Sequence, residues 1–139
     1  KLSEDLNISD LITWHQFFID EVDVSEIFDN SDLVILPHLN IDQSGVLMSA
    51  INFEKPIIAS DTGGFSEIIE NDKHGYLFKP GDHEDLASQL LKVINNNKVK
   101  SMSQEVSALK KKWKTWQEIS EDTLEIYTDA ICHRYEKKS

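Results

Sequence analysis

Short, unbroken apolar runs that alternate with helix-like stretches constrain this chain more than any other feature. Leu11-Ile12-Thr13-Trp14, Asp32-Leu33-Val34-Ile35-Leu36, Pro56-Ile57-Ile58-Ala59 and Gly75-Tyr76-Leu77-Phe78 are rich in β-branched and aromatic residues, as strands are. Because their apolar character is continuous rather than alternating, both faces of each strand are expected to be buried, as in a parallel sheet. Parallel strands need crossovers. Val24 to Asn30, Gly45 to Phe53 and Gly64 to Glu70 have about the length of the helices that would make them. The expected fold class is α/β, a parallel sheet flanked by helices.

Past the last run, Pro80-Gly81-Asp82 forms a turn, and Asp82 followed by Asp85 reads as a helix start with acid in its first turn. Leu86, Leu90, Leu91 and Ile94 share one face of that helix. Asn95-Asn96-Asn97 interrupts it, and a second helix is expected from about Lys98. The final segment repeats Trp116, Ile119, Thr123, Leu124, Tyr127 and Ile131 at helical spacing. Such a stripe is expected to pack on the core, the other reading being a surface for a partner. With 139 residues, no internal repeat and no low-complexity linker, the chain reads as one domain over residues 1–139.

Composition removes several classes of function. Fourteen basic against 25 acidic side chains give a formal net charge of −11, which repels a phosphate backbone and argues against nucleic-acid binding. A local phosphate site survives that argument, since backbone N–H groups at a helix N-terminus can build one without a basic surface. The single cysteine, Cys132, forms no internal disulfide and points to a reducing compartment. No run approaches the ~18 apolar residues of a membrane span, and the polar start Lys1-Leu2-Ser3-Glu4-Asp5 resembles a cut domain rather than a signal peptide. G-x-G-x-x-G, Walker A and G-x-S-x-G motifs and histidine pairs at metal spacing are absent, so no metal site is expected. His15, His74, His83 and His133 read as surface residues. A phospho-acceptor receiver domain fails because Leu36 leads into Pro37-His38 and Trp14 into His15-Gln16, where such a domain needs aspartates.

Ligands of open α/β sheets bind beyond the C-terminal ends of the strands, which selects two loops. Pro37 to Gly45 carries His38, Asn40, Asp42, Gln43 and Ser44 before a helix opens at Gly45-Val46. Free N–H groups and a hydroxyl there would suit a diphosphate, and a plain serine N-cap is the alternative. The second loop, Ser60-Asp61-Thr62-Gly63-Gly64, places paired glycines where backbone can approach a ligand, with Glu67 on the next helix. Here the alternative is a tight turn capped by Asp61 or Thr62.

Taken together, Asp32-Leu33-Val34-Ile35-Leu36-Pro37, Gln43-Ser44-Gly45-Val46-Leu47, Ala50, Lys55-Pro56-Ile57-Ile58-Ala59-Ser60-Asp61, Gly63-Gly64, Glu67 and Gly75-Tyr76-Leu77-Phe78-Lys79-Pro80-Gly81-Asp82 resemble the C-terminal half of retaining glycosyltransferases of the GT-B fold, family 4. The resemblance covers roughly Leu6 to Tyr127, and Trp116-Gln117-Glu118-Ile119 with Tyr127 is similar to the family's closing helix. It implies a Rossmann-like sheet with extra C-terminal helices that holds a nucleotide-diphospho-sugar, UDP- or GDP-linked, and uses no obligatory metal or other cofactor.

The same resemblance implies that Ser44, Gly45 and Val46 meet the donor diphosphate, with Gln43, His38 and Asp42 near the phosphates or sugar. Gly63, Gly64 and Glu67 would form the crevice floor, and the loop at Phe17, Phe18 and Ile19 would lie on the base side. Many members carry two glutamates eight positions apart, where this chain has Ile41 or Asp42 and then Ser49; Ser49 would fall on the ribose side, and Asp42 would substitute at the sugar end only with the loop shifted by one residue. Its Gln-Ser-Gly version resembles a subgroup linked to bacterial surface polysaccharide assembly. A glycan or lipid-linked acceptor would be presented by an N-terminal domain that this sequence lacks, as it lacks the family's basic segment at the diphosphate. Catalytic residues are therefore not assigned, and the fragment alone is expected to be inactive. A cytoplasmic location is implied, with peripheral association of the full-length protein at the inner face of the membrane left open. A sugar-nucleotide epimerase of the same fold and a non-catalytic partner subunit are the competing functions.

Overall fold

The computed structural model of the chain describes residues 1–42 and 44–136, the side chains of Glu21, Trp116 and residues 132–136 excepted. Residues divide into two compact units, Lys1–Asp32 and Leu33–Ser139. In the first, helix α1 spans Leu2–Asp5, a 3-10 turn Ser9–Leu11 and helix α2 Glu21–Asp29. The strand expected at Leu11–Trp14 is not there. A strand exists by pairing its backbone with a neighbour. Here the N–H of Leu11 goes to Ile8 O at 3.0 Å and that of Ile12 to Ser9 O at 3.2 Å, while the Leu11 and Trp14 side chains stay exposed.

The second unit is the α/β layer. Strands β1 (Val34–Leu36), β2 (Ile57–Ser60) and β3 (Gly75–Phe78) form one sheet in the order β1-β2-β3. Both pairs are parallel, with Val34 opposite Ile57, Leu36 opposite Ala59, and Ser60 opposite Phe78. Every residue of β2 is buried, as a central strand covered on both faces should be. At the edge, β1 is only partly covered and Ile35 is exposed. Helix α3 (Gly45–Asn52) and the short α4 (Phe65–Ile68) make the crossovers. The second is shorter than expected because Ile69 turns extended at ψ 114° and buries its side chain.

Helices α5 (His83–Asn95), α6 (Val99–Lys110) and α7 (Trp116–Glu136) follow. Their starts and stops obey local chemistry. Asp82 caps α5 by accepting the Asp85 N–H at 3.0 Å, and Asn97, at φ 50°, reverses the chain before α6. One core cluster joins Ile58, Tyr76 and Phe78 of the sheet to Val93 of α5 and Met102 of α6, with Leu86 and Leu90 packed at its margin. Two bonds tie α6 to the C-terminal end of α3: Ser103 Oγ donates to Glu54 O at 2.7 Å and Lys110 Nζ to Asn52 O at 2.8 Å. The α7 stripe expected to pack on the core does not, since Ile119, Leu124, Tyr127 and Ile131 all remain exposed. Periodicity proves that a helix has an apolar face, not that this chain contains what covers it.

Candidate functional site

The chain leaves β1 at Leu36 and enters a loop whose end is pinned under β2. Buried Ser60 does the pinning, its Oγ donating to His38 O at 2.6 Å and to Leu36 O at 3.3 Å. The loop then reaches Ser44, whose extended backbone starts α3. Ser44 Oγ accepts the Leu47 N–H at 3.2 Å as an N-cap, which leaves its O–H free to donate. The first-turn N–H groups of Gly45 and Val46 have no intrahelical acceptor and carry the positive end of the helix dipole.

Beside this helix start, Gly63 and Gly64 follow β2. Gly63 has φ 55°, and a Cβ on it would stand 1.9 Å from Ile41 O. The glycine thus lets the loop after β2 lie directly on the loop after β1, and the two loops form one wall. Between them and α4 opens a cleft of about 570 Å³ lined by Asp42, Ser44, Gly45, Gly63, Gly64 and Glu67, together with Leu47, Met48, Phe65 and Ile68. It lies where the C-terminal ends of β1 and β2 deliver their loops, the position at which open α/β sheets take ligands. Among the described residues its polar side chains are the carboxylates of Asp42 and Glu67 and the hydroxyl of Ser44.

Six residues singled out in the sequence thus converge on one cleft: Asp42, Ser44, Gly45, Gly63, Gly64 and Glu67. Others do not. Val46 is half exposed beside the cleft and is not among its lining residues. Ser49, expected on the ribose side, turns its hydroxyl back to Gly45 O at 3.2 Å. His38 sits beneath the wall, its ring 5.7 Å from that of Phe65, with Nδ1 buried and without a hydrogen-bond partner. Gln43 lies outside the described residues. Phe17 and Phe18 are exposed and, with Ile19, belong to the first unit. The apolar lining, Leu47, Met48, Phe65 and Ile68, was missed. Its signal was available: these residues occupy the first turns of the two helices that enter under the ligand loops. His74, read as a surface residue, is 2% exposed and its Nδ1 accepts the Glu70 N–H at 3.2 Å. A polar neighbourhood in sequence does not exclude burial when the backbone closes a turn around the ring.

Among the described residues no cluster of three or more His, Cys, Asp or Glu side chains could hold a metal ion, and no helix is long and apolar enough to cross a membrane.

Known proteins are similar to this chain in sequence and in fold. The chain is 30% identical over 82 residues to the amylovoran biosynthesis glycosyltransferase AmsK of Erwinia amylovora, covering 55% of this chain and 20% of that protein. It is 26% identical over 83 residues to a sulfoquinovosyl transferase of Arabidopsis thaliana, covering 58% of this chain and 16% of that protein. In fold it is similar to a sucrose-phosphate synthase of Thermosynechococcus elongatus, with TM-score 0.82 and 18% identity over 95% of this chain and 33% of that one. It is also similar to HepE of Anabaena, solved with UDP and glucose, with TM-score 0.77 and 21% identity over 91% of this chain and 34% of that one. The chain therefore spans about a third, or less, of the proteins it resembles. Residues 1–113 match the family of glycosyl transferases group 1, and with the parallel sheet and its C-terminal cleft in place, the chain belongs to that family.

Proposed function

We propose that this chain is the donor-binding part of a retaining glycosyltransferase of family 4, in its Gln-Ser-Gly subgroup, acting in bacterial surface polysaccharide or glycan synthesis. The observation that carries the reading is the cleft itself, in which Gly45, at the start of α3, lines the same space as the Gly63-Gly64 loop. The diphosphate of a UDP- or GDP-linked sugar would lie against the first-turn N–H groups of α3. When the bond from the anomeric carbon to the leaving phosphate oxygen breaks, negative charge grows on the diphosphate, and N–H dipoles already aimed at it stabilise that charge without reorganising. Among the described residues the lining offers no cation, so full neutralisation would fall to residues beyond this cleft, and the chain alone binds donors without turning them over. No metal or other cofactor enters this chemistry.

The acceptor, a glycan or lipid-linked sugar, is presented by a further domain. The uncovered stripe on α7 suits a helix that crosses to that domain, at the inner face of the cytoplasmic membrane. The UDP and glucose in the HepE structure and the polysaccharide named for the Erwinia protein support the reading.

Calorimetric titration with UDP, GDP, ADP and their common sugar conjugates tests it. One nucleotide family is expected to bind saturably, and Gly45→Asp is expected to abolish binding while leaving the melting temperature in place. That variant is informative because nothing lies within 4 Å of a Cβ at Gly45, so the added side chain meets the ligand and not the fold. A folded chain that binds none of these nucleotides overturns the proposal.

A further inference from the structure

The cleft also discriminates among donors. Among the described residues its polar side chains are Asp42, Glu67 and Ser44; the serine oxygen accepts the Leu47 N–H in capping α3 and keeps its own O–H to donate. The other two are carboxylates, which accept hydrogen bonds and donate none. Whatever group of the ligand faces them has to donate. Sugar hydroxyls do so; a carboxylate or sulfonate on the sugar ring does not, and adds a like charge. Among the described residues Leu47, Met48, Phe65 and Ile68 make up the rest of the side-chain lining and respond weakly to charge, and no Lys, Arg or His lines the cleft to offset it. The chain as a whole, at net charge −11, adds to the repulsion.

Resting on the donor-site reading above, we propose that the sugar taken into this cleft is uncharged and rich in hydroxyls, and that Asp42 and Glu67 exclude donors whose sugar ring bears an acidic group. The diphosphate is tolerated because the α3 N-terminus receives it; an acidic substituent on the sugar has no such counterpart. Asp42 and Glu67 are then specificity-determining residues, Asp42 placed by the loop after β1 and Glu67 by α4, which follows the Gly63-Gly64 loop packed against the backbone of Ile41.

UDP-glucose and UDP-glucuronate differ only at C6, hydroxymethyl in one and carboxylate in the other, so calorimetric titration of this chain with both isolates the charge. If GDP is the nucleotide that binds, GDP-mannose and GDP-mannuronate make the same comparison. The acidic donor is expected to bind about tenfold more weakly or worse, the size of effect a like charge has within a few ångströms at a protein surface. The Asp42→Asn, Glu67→Gln double variant is expected to bring the ratio of the two affinities close to one, and raised salt to shrink it in the unaltered chain. Equal binding of both donors, or a ratio that the double variant leaves in place, overturns the charge selection while leaving the donor site standing. Absence of binding by every nucleotide and conjugate overturns the donor site, and the selection with it.

Discussion

Two glycines in the cleft do opposite jobs, and the difference is measurable. Gly63 combines φ 55° with a Cβ position 1.9 Å from Ile41 O, so Gly63→Ala forces two backbones apart. It is expected to cost more than ~2 kcal/mol in urea unfolding, the range of a strained conformation plus a steric clash. Gly45 has open space around its Cβ, so Gly45→Ala is expected to be neutral or to stabilise by up to ~1 kcal/mol through the unfolded chain. In sequence both glycines look alike; only the partner backbone at Ile41 separates them. His74 makes a similar point through its protonation. Burial holds its imidazole below the usual range, with Lys73 acting in the same sense and Glu70 and Glu105 opposing. Unfolding therefore takes up a proton as pH falls. Stability from this residue is complete above the unfolded value, about 6.5, and is lost as pH drops through the lower folded value. Unfolding curves at several pH values between ~7 and ~5 should show this decline, and His74→Gln should flatten it. The carboxylates lowered by hydrogen bonds, Asp85 by the Lys79 N–H and Asp72 by Lys98, act in a separate and more acidic window.

At the scale of elements, local chemistry set the boundaries wherever a side chain could reach the backbone. Asp82 and Ser44 were recognisable as caps because each side chain bonds an N–H three residues on, a contact that needs no tertiary structure. Asp82→Ala and Ser44→Ala are each expected to cost about 1 kcal/mol by thermal or urea unfolding. Since α3 carries the cleft, Ser44→Ala should also weaken nucleotide binding, whereas Asp82→Ala should leave it in place. Elements that depend on distant partners were harder to read. Leu11–Trp14 has strand composition but makes turn bonds instead, because β-propensity measures how well side chains fit a sheet that must first be present. The opposite end of α3 is likewise settled from afar, by Ser103 and Lys110 of α6, which meet the carbonyls of Glu54 and Asn52.

Across the whole molecule, burial is uneven in a way that mutation can read. Met102 in α6 is 1% exposed within the cluster it shares with Ile58 and Phe78, and Met102→Ala is expected to cost about 2–5 kcal/mol, the usual range for a large core side chain. Leu124, in the α7 stripe, is 67% exposed, so Leu124→Ser should change stability by less than ~0.5 kcal/mol. Equal losses at the two positions, measured by the same unfolding experiment, would mean that the stripe is covered after all. What the sequence by itself determined is the α/β class, the three paired strands and the loops that carry the cleft. Proline and glycine boundaries and cap residues act over a few positions, and continuous β-branched runs mark strands wherever a sheet is present to receive them. Tertiary structure alone decided that Asp42 and Glu67 share one cleft, that Leu47, Met48, Phe65 and Ile68 line it, that Ser49 turns away from it and that His74 is buried. Those outcomes rest on which backbone lies against which, and a parallel sheet brings together loops that are far apart in sequence.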